Sequence, residues 1–117
     1  MKLVVNLVLG LNRASLAEGI AFARSSGLDL EETLRVLQAS PAHSRVMDVK
    51  GRKMIERDFR PQARLSQHLK DVRLILTEAE RRQAKVPLSA RHRELLETLE
   101  RAGHGADDNS AVIRAYD

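Results

Sequence analysis

Residues 65–79, LSQHLKDVRLILTEA, place Leu65, Leu69, Val72, Leu76 and Ala79 at alternating spacings of four and three. That period lays one narrow apolar stripe along an α-helix and cannot serve a strand, whose side chains change face at every residue. The spacing predicts a helix from about Gln62 to Gln83, the central packing element. Downstream, Val86-Pro87 breaks the pattern, Ser89 is the expected cap, and Leu88, His92, Leu95 and Leu99 are expected to line the inside of the next helix. Gly103 closes it, and a last short helix is expected from Ser110 to Tyr116. Upstream, residues 42–61 hold only isolated apolar anchors around Gly51, which suggests two short helices and loop. Before them Asp29 caps a helix with Glu32 in capping-box spacing. Leu30, Leu34 and Leu37 form its inner stripe and Ser40-Pro41 stops it.

The first helix should run from about Lys2 to Arg24, where Gly27 ends it. Its start is apolar on nearly every side (Leu3, Val4, Val5, Leu7, Val8, Leu9), the pattern of a buried helix or an interface. Gly10 and Gly19 within it suggest close packing against another backbone. Phe22, Phe59 and Tyr116 are the only aromatic residues, and Leu, Ala, Glu and Arg dominate, which favours helix over strand throughout. The expected fold is therefore all-α, with six to seven helices in one domain spanning residues 1–117.

Composition narrows the function classes. With no cysteine there is no disulfide framework, no Cys-ligated zinc and no thiol nucleophile, and a cytoplasmic location is expected. The longest apolar run, Leu3 to Leu9, is broken by Asn6 and is far shorter than the roughly 20 residues of a membrane span. The four histidines, His43, His68, His92 and His104, lack the helical spacing of a metal site. No dinucleotide fingerprint, Walker loop or nucleophile elbow is present. The net charge of +4 falls entirely within residues 45–64, where seven cations face three carboxylates. Such a stretch suits phosphates on a nucleic acid or a cofactor, or is simply a solvated basic turn. A helical nucleic-acid-binding module is thus one rival reading, weakened by the scarcity of aromatics for base stacking.

Two small features can carry chemistry. Lys2 and Asn6 are four apart, so they stack on one face at the start of an apolar helix. A lysine in a partly dry pocket can donate a proton to an alkoxide-like oxygen, with the amide orienting the same substrate. The alternative is a terminal lysine in water. Lys70-Asp71 lies beside the central stripe, where a solvated charge pair is the default.

A set of short segments, in order, adds a further reading. These are Lys2-Leu3-Val4-Val5-Asn6, Leu16-Ala17-Glu18-Gly19, Ser26-Gly27-Leu28-Asp29, Leu69-Lys70-Asp71-Val72-Arg73-Leu74, Val86-Pro87-Leu88, Ala102-Gly103-His104-Gly105 and Asp108-Asn109-Ser110-Ala111-Val112-Ile113. Together they resemble the C-terminal helical domain of the β-hydroxyacid dehydrogenases, the family of 3-hydroxyisobutyrate dehydrogenase and tartronate semialdehyde reductase. The resemblance implies that Lys2 is the catalytic acid/base, that Asn6 helps to hold a small hydroxy-acid substrate, and that Lys70 and Asp71 line the cleft near the nicotinamide end of NAD or NADP. Ala63, His68 and Asn109 depart from the commoner family choices, which bears on pocket shape. It further implies that a Rossmann domain, absent from this sequence, holds most of the cofactor, and that this chain alone is inactive. A homodimer or higher oligomer is expected through the apolar first helix. A stand-alone helical dimerisation domain without catalysis is the remaining alternative.

Overall fold

The computed structural model describes residues 1–117. Helix α1 spans Lys2–Ser25, α2 Leu30–Gln38, α3 Arg45–Glu56, α4 Leu65–Arg81 and α5 Pro87–Leu99. A wide π turn, Glu100–His104, and a 3₁₀ helix, Asn109–Tyr116, complete the chain. There is no sheet, only one isolated bridge between Arg64 and Asp108. The all-α architecture expected from the stripe in residues 65–79 is the one observed.

Local chemistry explains most boundaries. Gly27 adopts a left-handed conformation (φ 75°), and Leu28 N–H donates to Ala23 C=O at 3.0 Å, so α1 ends in a Schellman motif. Asp29 then caps α2, its Oδ1 accepting from Glu32 N–H at 2.8 Å. The Glu32 carboxylate does not complete the capping box but pairs with Arg35.

Several expectations need correction. Residues 42–61 hold one helix rather than two short ones, because Gly51 sits inside α3 where its bare backbone admits Leu34 of α2. A Cβ there would lie 2.6 Å from Leu34 Cδ1. Ser89 is not a cap: Pro87 occupies the first turn of α5, with no side-chain cap, and Ser89 is buried. That start rotates the inner face of α5 to Ser89, His92, Leu96 and Leu99, leaving Leu88 68% exposed. The last helix is 3₁₀ rather than α and begins at Asn109. Gly10 is closely packed, but nothing approaches the Cβ position of Gly19.

The core gathers Leu16, Ala17 and Ile20 of α1, Met47 and Met54 of α3, Leu65, Leu69 and Val72 of α4, and Leu96 and Leu99 of α5. Ala111, Val112 and Ile113 of the 3₁₀ helix plug its centre and are almost wholly buried. By length and composition alone α1 could cross a membrane. Its buried residues Gly10, Arg13, Leu16, Ala17, Ile20, Ala21 and Ala23, however, pack it as a core helix. The first two turns of α1 differ from the rest: Met1, Val4, Val5, Val8 and Leu9 are exposed, so this apolar end is not buried by the chain itself.

Candidate active site

The four residues singled out from the sequence lie on α1 and α4, and packing between these helices fixes their relative height. Gly10 meets His68: a Cβ at position 10 would overlap the His68 imidazole and lie 3.1 Å from His92 Cε1. Toward the start of α1 and the end of α4, Leu3 and Leu7 share an apolar groove with Ile75 and Ala79. The helices are therefore antiparallel here, and one turn beyond the Gly10–His68 level brings Asn6 beside the level of Asp71. Lys2 stands a further turn out, on the same stripe as Asn6 and Gly10.

Lys2 is exposed, Asn6 half-buried, Lys70 exposed and Asp71 half-buried. None of the four makes a hydrogen bond or ion pair within the chain, and none lines its main grooves. They are polar groups standing free at the open end of the α1–α4 seam, beside the exposed apolar turn of α1. Asn6 and Asp71 are brought to one level. Lys70 is set to the side of them.

Beneath this end the seam becomes buried and stays polar. Arg13, His68 and His92 are all buried, and the two imidazoles lie 5.4 Å apart, centroid to centroid. Burial, reinforced by the nearby Arg13 charge and by His92, pushes His68 down to about 3, and burial with Arg13 pushes His92 down to about 4. Both histidines are thus neutral in the fold and protonate readily only when it opens. Each has its folded pKa below the unfolded value, so its contribution is complete above about pH 6.5 and declines as pH falls toward 4 and 3. Urea titrations between pH 7 and pH 4.5 should show stability falling with acidification, with a smaller slope in His68→Gln.

A second buried cluster was not legible as a site. Asp108, fully buried, accepts from Lys50 Nζ at 3.0 Å on both oxygens, and from the backbone N–H groups of Gln62 (2.9 Å), Ala63 (3.1 Å) and Ser110 (3.0 Å). Burial alone would raise the Asp108 carboxyl, but these hydrogen bonds outweigh it and hold it well below the usual carboxylate range. The cluster ties α3, the strap before α4 and the 3₁₀ helix together. It also accounts for part of the basic segment: Lys50 pairs with Asp108, Arg52 with Glu31 and Glu56, Arg57 with Asp117, Arg60 with Asp58, and Lys53 donates to Arg60 C=O. Five of its seven cations are thus engaged within the chain and do not form a free phosphate-binding patch.

Residues 1–116 match the family model described as NAD-binding of NADP-dependent 3-hydroxyisobutyrate dehydrogenase. The chain belongs to this dehydrogenase family. Among curated relatives, 2-hydroxy-3-oxopropionate reductase of Escherichia coli is 30% identical over 99% of this chain and 40% of its own length. The cytokine-like nuclear factor N-PAC of Aedes aegypti is 35% identical over 98% of this chain and 21% of its own length. The crystal structure of 3-hydroxyisobutyrate dehydrogenase from Salmonella typhimurium superposes with a TM-score of 0.93 at 25% identity, over 97% of this chain and 40% of that one. The chain thus spans well under half the length of each of these proteins.

Proposed function

We propose that this chain is the helical, substrate-side domain of an NAD(P)-dependent dehydrogenase that interconverts a small 3-hydroxy acid and its semialdehyde. The observation that carries the reading is the free polar end of the α1–α4 seam, where Lys2, Asn6 and Asp71 stand without partners of their own. An enzyme cleft completed by a second domain requires one wall of this kind. The all-helical fold supports assigning it to the substrate side, since the sequence has no glycine-rich loop for a pyrophosphate.

The residues present fit one end of the cofactor. The unpartnered Lys70 ammonium and Asp71 carboxylate offer a donor and an acceptor suited to a nicotinamide carboxamide or ribose, and the rest of the dinucleotide needs another domain. When bound, the nicotinamide gives or takes the hydride. Lys2 gives a proton to the substrate oxygen during reduction and takes it back during oxidation, while Asn6, one turn below, orients the same substrate. The exposed apolar turn of α1 supports cover by the dinucleotide domain and by a second protomer.

The isolated chain is expected to be inactive, because hydride transfer needs cofactor and substrate held together. The native polypeptide that carries it should turn over short 3-hydroxy acids or their semialdehydes with NAD(H) or NADP(H), followed at the nicotinamide absorbance. Absence of turnover with either cofactor across such a panel would overturn the proposal. It would favour a non-catalytic interaction domain, a reading to which the exposed apolar turn and the likeness to a protein named as a nuclear factor lend some weight.

A further inference from the structure

Gly10 is a buried glycine in the interior of α1, a place where glycine weakens a helix relative to alanine. The space its missing side chain leaves is filled by the tip of the His68 ring: a Cβ at position 10 would overlap His68 Nε2 and lie 2.8 Å from His68 Cε1. His92 backs the same notch, its Cε1 3.1 Å from that point and its ring centroid 5.4 Å from that of His68. Both rings are buried, so neither can swing aside into solvent. Leu65, Leu69 and Val72 seat α4 in the core along its inner stripe. The imidazole is therefore a fixed spacer between α1 and α4. Two torsions and a flat ring hold one distance, which a flexible aliphatic chain of similar reach does not.

This contact lies just beneath the open end of the seam. Asn6 precedes Gly10 by four residues and Asp71 follows His68 by three, so each stands one helical turn, about 5.4 Å, away from it. A helix without a kink does not bend appreciably over one turn. A change in the α1–α4 spacing at Gly10 therefore reaches Asn6 and Asp71 almost undiminished.

We propose that Gly10 and His68 are positioning residues: the imidazole seated against the bare backbone of Gly10 gauges the distance between Asn6 and Asp71, and with it the width of the cleft wall. The catalytic consequence rests on reading that wall as part of a dehydrogenase site, whereas the spacing itself does not.

Gly10→Ala in the native polypeptide should lower kcat/KM by about tenfold to a hundredfold, the cost of a misplacement of roughly 1 Å that starts outside the chemistry. Gly51→Ala separates positioning from stability. It too presses a methyl group into a packed contact, 2.6 Å from Leu34 Cδ1, but between α3 and α2, and it should lower Tm while leaving kcat and KM as in the parent. Gly10→Ala combined with His68→Leu, which removes the ring tip and admits the methyl, should recover most of kcat/KM. Equal losses in Gly10→Ala and Gly51→Ala would overturn the inference, as would an unaltered kcat/KM in Gly10→Ala. A parent without turnover overturns the proposed function alone, and crystals of this chain then decide the spacing. Asn6 and Asp71 Cα atoms farther apart in Gly10→Ala than in the parent uphold it, and an unchanged separation overturns it. Should Gly10→Ala fail to fold, His68→Ala replaces it in both measurements. With the notch emptied the helices close, so kcat/KM falls and the separation shrinks, and the absence of either change overturns the gauge.

Discussion

Asp108→Asn is expected to destabilise the chain by about 3–5 kcal/mol in urea unfolding at neutral pH, the range found when one partner of a buried ion pair is removed. The size follows from what the carboxylate does. It neutralises Lys50 in the core, and it accepts from three backbone N–H groups on two separate stretches of chain. Asparagine keeps one acceptor oxygen but leaves the Lys50 ammonium enclosed without a counter-charge, and its amide turns a donor toward donors. The pH dependence gives an independent reading. The folded Asp108 carboxyl lies below its unfolded value, so its contribution is present above about pH 4 and is lost as pH falls through that region. The variant should therefore lose part of the acid slope below pH 4 while keeping the slope at pH 5–6.5 that belongs to His68 and His92. Pairing the change with Lys50→Met should recover much of the stability, since neither charge is then buried. A loss under about 1 kcal/mol for the single variant would show that solvent reaches Lys50 and that the pair is not a core element.

What the sequence made legible was local. The stripe of α4, the glycine stop of α1 and the Asp29 cap each depend on residues within one or two turns, and each is found where its spacing puts it. The misreadings came from contacts between elements. Gly51 looked like a break in residues 42–61, yet it is a point of close approach to Leu34, which lies 17 positions earlier and which no local pattern signals. Leu88 and Leu95 looked like core on spacing alone, but the start of α5 at Pro87 turned Leu96 inward instead. The same limit hid the polar interior. Lys50 read as part of a basic run, and only the fold joins it to Asp108, 58 positions away. Arg13, which no local pattern singles out, is in the fold a charge buried on the same stripe of α1 that carries Asn6. Of the candidate site, the i to i+4 relation of Lys2 and Asn6 was visible in advance. The alignment of Asn6 with Asp71 was not, because it is set by the Gly10–His68 contact between helices.

Lys2→Ala, made in the native polypeptide, is expected to lower kcat by a factor on the order of 10²–10⁴, the usual worth of a positioned acid/base. Lys2 is exposed at the first residue of α1 and bonds to nothing within the chain, so the substitution should leave Tm unchanged. That separation matters: a fall in rate with intact stability assigns the residue to chemistry, whereas a fall in both would describe damage to the helix start. Cofactor affinity should change little, because the ammonium acts on the substrate oxygen. Asp71→Ala should instead raise KM more than it lowers kcat if the carboxylate orients a bound group without moving a proton. Lys2→Arg offers the sharper comparison. It keeps the charge and much of the reach, yet a guanidinium that stays protonated throughout the working range can neither give the proton in reduction nor take it back in oxidation. Both directions should then fall together, by nearly as much as in Lys2→Ala, whereas a lysine that acted by charge alone would leave Lys2→Arg largely active. An unchanged kcat in Lys2→Ala would remove the lysine from the mechanism. It would leave the open end of the α1–α4 seam as a docking surface, with Asn6 and Asp71 serving a partner and not a substrate.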